Sequence, residues 1–239
     1  MGSLPEERRI SVFTKLRKGW GYRGTLWWLL KQGKLRHLYK FLYTKTMIPT
    51  GEGSGGLFRP LLEWKVRHFD AGLPKCLEVE TGTVCPYDCI LCEVKYWHEK
   101  PKNTTLKEFK SIVDQFSRLA WLNLTGIGEP FLNPEILDIF TYAKSKGIFV
   151  NTVDNFFLVD GKVGRKLLEI GIDSFWVSID AATKRTYNLL RPKLDFHTVI
   201  SNLITFLNLK RKLRSPVPEV SFRYIITTLN VHEMPNFID

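Results

Sequence analysis

The chain has 239 residues, of which 44% are hydrophobic and 13% aromatic, and its formal net charge at pH 7 is +11. This composition excludes an intrinsically disordered chain, because it offers enough apolar surface to fill a core, and the length suits one domain with an appendage. Four cysteines, three of them clustered, do not match the disulfide framework of a small secreted domain, so we expect a reducing compartment, the cytoplasm.

The positive charge is concentrated near the N-terminus. Residues 1–75 contain 15 Lys and Arg against 5 Asp and Glu, a net of +10, whereas residues 76–239 have a net of +1. Aromatic residues are interleaved with these charges, so residues 1–50 could face an anionic membrane surface, nucleic acid or an acidic partner. Equally, they could form a helical extension whose aromatic side chains pack on the core. The apolar runs in this segment are far shorter than the ~20 residues of a membrane span, which predicts a cytoplasmic protein, with or without peripheral binding at a membrane surface.

A glycine-rich run separates this basic segment from the rest of the chain. Two or three short helices are predicted within residues 10–50, a flexible linker over 51–56 and a connecting helix over 57–69. We therefore divide the chain into a basic aromatic helical extension (1–50), a Gly-rich linker with its connecting helix (51–74) and a core (75–239).

From Cys76 onward, strand-like and helix-like segments alternate, which predicts a parallel α/β arrangement. Strands are predicted over 76–80, 121–125, 148–153, 174–179 and 220–227, and helices over 105–119, 134–145, 163–170 and 196–209.

Three cysteines, Cys85, Cys89 and Cys92, follow the first predicted strand at a spacing that lets one loop wrap a metal centre. Three thiolates leave one iron of a [4Fe–4S] cubane open, because such clusters normally take four cysteines. Together with His98 they would instead complete a closed zinc shell. The fourth cysteine, Cys76, lies within the first strand and is expected to be a buried small hydrophobic residue rather than a ligand.

This CxxxCxxC loop, together with Gly126-Ile127-Gly128-Glu129-Pro130 after the second strand, resembles the radical S-adenosylmethionine (SAM) superfamily from about residue 75 to the end of the sequence. The resemblance implies an open partial (β/α) barrel, here with about five of the usual six strand–helix units. It implies a [4Fe–4S] cluster on the three cysteines, with SAM chelating the open iron. Reductive cleavage of SAM would then give a 5′-deoxyadenosyl radical that abstracts hydrogen from a substrate, with electrons from a flavodoxin- or ferredoxin-like donor. No catalytic residue beyond the cluster ligands is implied.

The resemblance also implies where SAM binds. Glu129 and the glycines beside it match the motif that accepts the SAM ammonium, and Ser178 and Arg191 match the groups that contact the ribose and the methionine carboxylate. Leu91 stands where the family usually has an aromatic residue on the adenine, and Asn155 is the one residue kept from a Thr-Asn-Gly pattern. The implied cofactor-binding residues are Leu91, Gly126, Gly128, Glu129, Asn155, Ser178 and Arg191.

The strand patterns resemble the branch that includes molybdopterin-precursor synthases and peptide-modifying maturases, and they leave the substrate open among peptides, lipids and small molecules. No cysteine follows Cys92, so a second cluster is not expected within these residues. Two other functions remain open. The chain could be a zinc-binding adaptor that docks an acidic surface through residues 1–50. It could also be a barrel without its sixth unit that binds a cluster or SAM but turns over only beside a partner.

Overall fold

The computed structural model of the chain describes residues 74–238, so the helices, the linker and the connecting helix predicted before residue 74 lie outside the described residues. Strands and helices alternate through this part of the chain. The strands are β1 (Cys76–Glu80), β2 (Trp121–Thr125), β3 (Phe149–Asp154), β4 (Ser174–Ser178) and β5 (Glu219–Arg223). The helices are α1 (Leu106–Val113), α2 (Ile136–Ser145), α3 (Gly161–Ile170), α4 (Lys184–Leu190), α5 (Phe196–Lys212) and α6 (Met234–Ile238). Short 3₁₀ turns occupy Glu93–Tyr96, Pro130–Leu132 and Val231–Glu233.

The five strands form one parallel sheet in the order β1-β2-β3-β4-β5. Within residues 74–238 β1 and β5 are edges, so the sheet is open rather than closed into a ring. The predicted α/β class and open partial barrel are therefore confirmed. Because all strands run the same way, the loops after their carboxyl ends gather at one edge of the sheet, where barrels of this kind bind ligands. No helix in the described range is long and apolar enough to cross a membrane.

One face of the sheet packs against the helices and forms the core. Alternate strand residues point to this face, as the period of two along a strand requires. The fully buried side chains from the strands are Leu122, Leu124, Val150, Phe175 and Val177, and those from the helices include Phe109, Ile139, Phe140, Leu167 and Phe206. This packing holds the carboxyl ends of the strands in fixed positions.

The other face of the sheet is polar. Across β1, β2 and β3, Asn151 Nδ2 donates to Asn123 Oδ1 (2.5 Å) and Asn123 Nδ2 donates to Glu78 Oε2 (2.6 Å). On β4, Trp176 leaves 38% of its surface exposed, and the Arg223 guanidinium lies 5.1 Å from the centre of its ring. This inner face is therefore lined with groups that can bind a polar or charged molecule.

The bounds of β1 and β2 are those predicted, and most other elements agree within three residues at each end. The helix predicted over 105–119 is shorter, because it ends at Val113. Beyond that residue the backbone bonds change to three-residue spacing, with Phe116 N donating to Val113 O (3.1 Å) and Leu119 N to Phe116 O (3.0 Å). These turns bring Leu119 into the core just before β2 begins.

The fifth strand was predicted four residues too long, since it ends at Arg223. After Arg223, backbone N–H groups donate to side-chain oxygens instead of to a neighbouring strand. Ile225 N donates to Asp180 Oδ1 (2.9 Å), and Thr227 N donates to Asn230 Oδ1 (2.7 Å). A polar side chain from a distant loop can thus end a strand whose local sequence favours continuing it.

Helix α4 was not predicted, and a buried glutamate fixes its start. Glu233 Oε2 accepts from the backbone N–H groups of Ala182 (2.7 Å) and Thr183 (3.1 Å), while Oε1 accepts from the hydroxyls of Thr183 (2.6 Å) and Thr186 (2.5 Å). Burial alone would raise the pKa of Glu233, but these hydrogen bonds outweigh burial and lower it. The loop between β4 and α4 is therefore held in one conformation.

Candidate functional site

The loop after β1 carries three of the four cysteines. Cys85, Cys89 and Cys92 are all free thiols and partly buried. A tight turn brings the last two together, with Cys92 N donating to Cys89 O (3.1 Å). On the same loop, the buried ring of Tyr87 packs edge-on against Phe157, with the ring centres 5.7 Å apart. The loop thus holds its thiols at the carboxyl edge of the sheet.

The three sulfurs lie within electrostatic reach of one another. Burial raises the pKa of Cys85 and of Cys89, and the charge of Cys92 raises both further. Cys85 also raises the pKa of Cys89, while Arg191 opposes this. A metal centre would oppose these effects, because its positive charge favours the thiolate form of a cysteine.

Zinc and an iron–sulfur cubane place different demands on the thiols. A closed zinc shell puts its thiolates about 2.3 Å from one ion, whereas a cubane spreads its cysteines over different irons. Within residues 74–238, no group of three His, Cys, Asp or Glu side chains is arranged around one metal-sized point. A cluster on the three cysteines and zinc on the cysteines with His98 both stay predictions.

Cys76 does not belong to this group. It lies exposed at the first position of β1. The prediction that it is buried is therefore wrong, since the first residue of an edge strand need not face the core. The prediction that it is not a ligand stays a prediction.

The glycine-containing loop after β2 is pressed against the cysteine loop. Gly126 follows β2 directly, Gly128 N donates to Gly82 O (3.1 Å), and Glu129 N donates to Val84 O (2.9 Å). A side chain at position 128 would meet the Gly82 carbonyl oxygen at 2.2 Å. Glycine is required there because two backbones approach so closely.

Glu129 is buried at this edge beside a second acid, Asp154. Glu129 Oε1 accepts from Phe131 N (3.3 Å) and Oε2 accepts from Asn155 Nδ2 (2.5 Å), while Asp154 Oδ1 accepts from Phe156 N (2.5 Å). Burial raises the pKa of Glu129 well above its usual range, and the charge of Asp154 raises it further. Burial likewise raises the pKa of Asp154. Two adjacent buried carboxyl groups coexist by sharing a proton or by binding a cation.

Arg191 reaches the same place from the end of α4. Its Nε (3.0 Å) and Nη2 (2.5 Å) donate to Asp180 Oδ2, and its Nη1 lies 4.0 Å from Cys89 Sγ. The backbone supports this contact, because Ile90 N donates to Leu190 O (2.9 Å). The resemblance implied that Arg191 binds the methionine carboxylate; in the structure Asp180 occupies one side of the guanidinium, and Nη1 points to Cys89 Sγ.

The remaining predicted residues lie around this centre. Leu91 is 37% exposed on the cysteine loop, and Ser178 ends β4 in register with Arg223. Sequence reasoning did not select Asp154 and Asp180, although both lie at the carboxyl ends of parallel strands. That position was a usable signal, because the ends of β3 and β4 must open onto the same edge as the cysteine loop.

Comparison with known sequences assigns most of the described residues to a family. A sequence model described as the Radical SAM superfamily matches residues 79–239. A tungsten-containing aldehyde ferredoxin oxidoreductase cofactor-modifying protein from Pyrococcus furiosus is 20% identical over 164 residues, which cover 67% of this chain and 46% of that protein. The mycofactocin maturase MftC from Mycolicibacterium smegmatis is 23% identical over 176 residues, covering 72% of this chain and 43% of its own. The chain spans about half the length of the curated relatives it matches.

Solved structures share the fold. Streptococcus suis SuiB bound to S-adenosylmethionine superposes with a TM-score of 0.60 at 14% identity, over 95% of this chain and 52% of SuiB. The enzyme anSMEcpe with bound AdoMet gives a TM-score of 0.53 at 19% identity, over 68% of this chain and 47% of its own. At these identities the likeness concerns the fold alone.

Proposed function

Because the chain belongs to the radical SAM superfamily, whose members use a [4Fe–4S] cluster and SAM, we propose that it binds both at the carboxyl edge of its sheet. The observation that carries the proposal is the set of three partly buried, free thiols on the loop after β1, beside a buried carboxyl pair. Cys85, Cys89 and Cys92 would hold the cluster. When bound, cluster and SAM supply reductive cleavage to methionine and a 5′-deoxyadenosyl radical that abstracts hydrogen from a substrate.

We assign the SAM ammonium to the carboxyl pair. Burial raises the pKa of both Glu129 and Asp154, and Asp154 Oδ2 is buried without a hydrogen-bond partner among the described residues, so an ammonium would supply the positive charge and the donors that this pair lacks. Asn155 holds the Glu129 carboxyl from one side, so its role is to orient Glu129 rather than to touch SAM. Binding of a cation here would keep both carboxylates ionised.

The other proposed contacts to SAM come from residues at the same carboxyl edge of the sheet. Arg191 Nη1 is available to the methionine carboxylate, and Asp180 keeps the guanidinium in place. Gly126 and Gly128 are assigned to shaping the loop that carries Glu129, because a side chain would meet Glu80 Cγ at 2.4 Å at position 126 and Gly82 O at 2.2 Å at position 128. Ser178 is assigned to the ribose and Leu91 to the adenine, where its exposed side chain can cover the base.

We place the substrate on the polar inner face of the sheet, below the SAM site. Trp176 and Arg223 offer an aromatic surface and a positive charge there. Among peptides, lipids and small molecules the relatives favour a peptide, because one is named a maturase and SuiB was also crystallised with its precursor peptide SuiA. The electron donor would be flavodoxin- or ferredoxin-like. The surface-binding role of residues 1–50 stays a prediction.

The proposal predicts SAM cleavage by the isolated chain. After anaerobic reconstitution with iron and sulfide, addition of dithionite and SAM should release 5′-deoxyadenosine and methionine in equal amounts, because each reductive cleavage gives one of each. Chromatography of the quenched reaction measures both products, and a sample without dithionite is the control. A protein that carries the cluster but releases neither product under reducing conditions would overturn the proposed activity.

A further inference from the structure

The phenol of Tyr187, on α4, is buried without a hydrogen-bond partner. The residue has 0% of its surface exposed, and no donor or acceptor within the described residues pairs with its hydroxyl. Its ring is held by packing against Phe196, with the ring centres 5.2 Å apart. Leaving a buried hydroxyl unpaired is unfavourable, so such a group calls for a partner that binds later.

The helix that carries Tyr187 supports the cysteine loop. Leu190 O accepts from Ile90 N (2.9 Å), and Arg191 Nη1 lies 4.0 Å from Cys89 Sγ. Tyr187 lies in the last turn of α4, and its carbonyl oxygen accepts from Arg191 N (2.8 Å). The phenol is therefore carried by the turn of backbone that contacts the cysteine loop.

The electrostatic surroundings of the phenol agree with this placement. Burial is the main cause that raises the pKa of Tyr187, and among nearby charges Arg191 and then Cys89 act on it most strongly. The hydroxyl therefore stays protonated at neutral pH. A buried, protonated phenol is a hydrogen-bond donor in need of an acceptor.

We propose that Tyr187 is a positioning residue for the cluster, whose hydroxyl donates a hydrogen bond to Cys89 sulfur or to an adjacent sulfide once the cluster is bound. This inference rests on the proposed function, because it requires the cluster. A hydrogen bond to sulfur stabilises the more negative, reduced cluster and thereby raises its reduction potential. Tyr187 thus makes electron uptake easier, at the cost of an unpaired hydroxyl in the protein without the cluster.

Replacement of Tyr187 by phenylalanine tests this inference, with Tyr224→Phe as the matched control. Tyr224 follows β5, and its hydroxyl already has a partner, Asn230 O, at 2.8 Å. Redox titration followed by EPR should give Tyr187→Phe a more negative midpoint potential than the wild type. The expected change in the reduction equilibrium is about three- to tenfold, where tenfold corresponds to 59 mV for one electron. Tyr224→Phe should keep the wild-type potential.

Thermal melting of the cluster-free proteins gives a second readout. Tyr187→Phe should melt at or above the wild-type temperature, because it removes only an unpaired hydroxyl, whereas Tyr224→Phe should melt lower, because it breaks a hydrogen bond. A lower iron content in reconstituted Tyr187→Phe, with an unchanged melting temperature of the cluster-free variant, would also support the hydrogen bond to the cluster. Equal potentials in all three clustered proteins, or a lower melting temperature for cluster-free Tyr187→Phe, would overturn the inference. Failure of the wild type to bind a cluster would instead count against the proposed function.

Discussion

Cys89→Ala is expected to abolish cluster binding, lowering the iron content from about four per chain to near zero after reconstitution. Release of 5′-deoxyadenosine should fall by more than ~100-fold, because even groups behind metal ligands contribute 10- to 100-fold to affinity or activity. The physical reason is that three thiolates are the minimum that can hold the cubane, and two leave a second iron exposed. Analysis of bound iron and sulfide measures the loss.

Cys76→Ala is the matched control for that experiment. Cys76 is also a free cysteine of the same chain, but it lies exposed at the first position of β1 rather than on the cysteine loop. Its replacement should leave iron content and product release unchanged. Equal iron loss in the two variants would contradict the assignment of the cluster to Cys85, Cys89 and Cys92.

Gly128→Ala is expected to disrupt the contact between the loops after β1 and β2. The new methyl group would lie 2.2 Å from the Gly82 carbonyl oxygen and 2.9 Å from the Thr83 carbonyl carbon, and both are backbone atoms that cannot rotate away. Overpacking of this kind costs about 1–3 kcal/mol in free energy of unfolding. Because the displaced backbone leads directly to Cys85, SAM binding should weaken by at least about tenfold. Denaturant unfolding and titration of SAM binding measure the two effects.

Gly161→Ala separates this steric effect from a general effect of replacing glycine. Position 161 begins α3, and the atom nearest to a methyl group there is Thr205 Cγ2, at an ordinary contact distance of 3.6 Å. Its unfolding free energy should stay within about 0.5 kcal/mol of the wild type, and SAM binding should not change. If Gly128→Ala were as well tolerated, the two loops would not be packed as described.

The sequence allowed much of the fold to be predicted, because local signals determine much of it. The strands β1 and β2 were predicted to the residue, since in each a Leu or Val alternates with other residues and a polar or glycine-containing loop follows. The cysteine loop and the glycine loop were found for the same reason, as each is contiguous in sequence. The elements whose bounds differ from the prediction depend on groups distant in sequence. In β5, for example, the N–H of Ile225 donates to Asp180, on the loop after β4, and the strand ends before it.

The site was predicted less completely than the fold, because its chemistry depends on pairs that only the folded chain brings together. Glu129 was selected from its motif, but its neighbour Asp154 was not, and the two share a buried environment only because β2 and β3 are adjacent. Arg191 was selected as the partner of the methionine carboxylate, and its pairing with Asp180 was not evident from the sequence. Tyr187 carries no motif at all, and its unpaired hydroxyl is apparent only from its surroundings.

Whether three cysteines hold a [4Fe–4S] cluster and leave one iron for SAM can be read from the EPR spectrum of the dithionite-reduced, reconstituted protein, recorded with and without SAM. We expect the spectrum of a reduced cubane whose g-values shift when SAM is added, because a new ligand changes the electronic structure of the iron it binds. A spectrum that stays identical at saturating SAM, in a protein with about four irons per chain, would show that SAM does not bind the cluster.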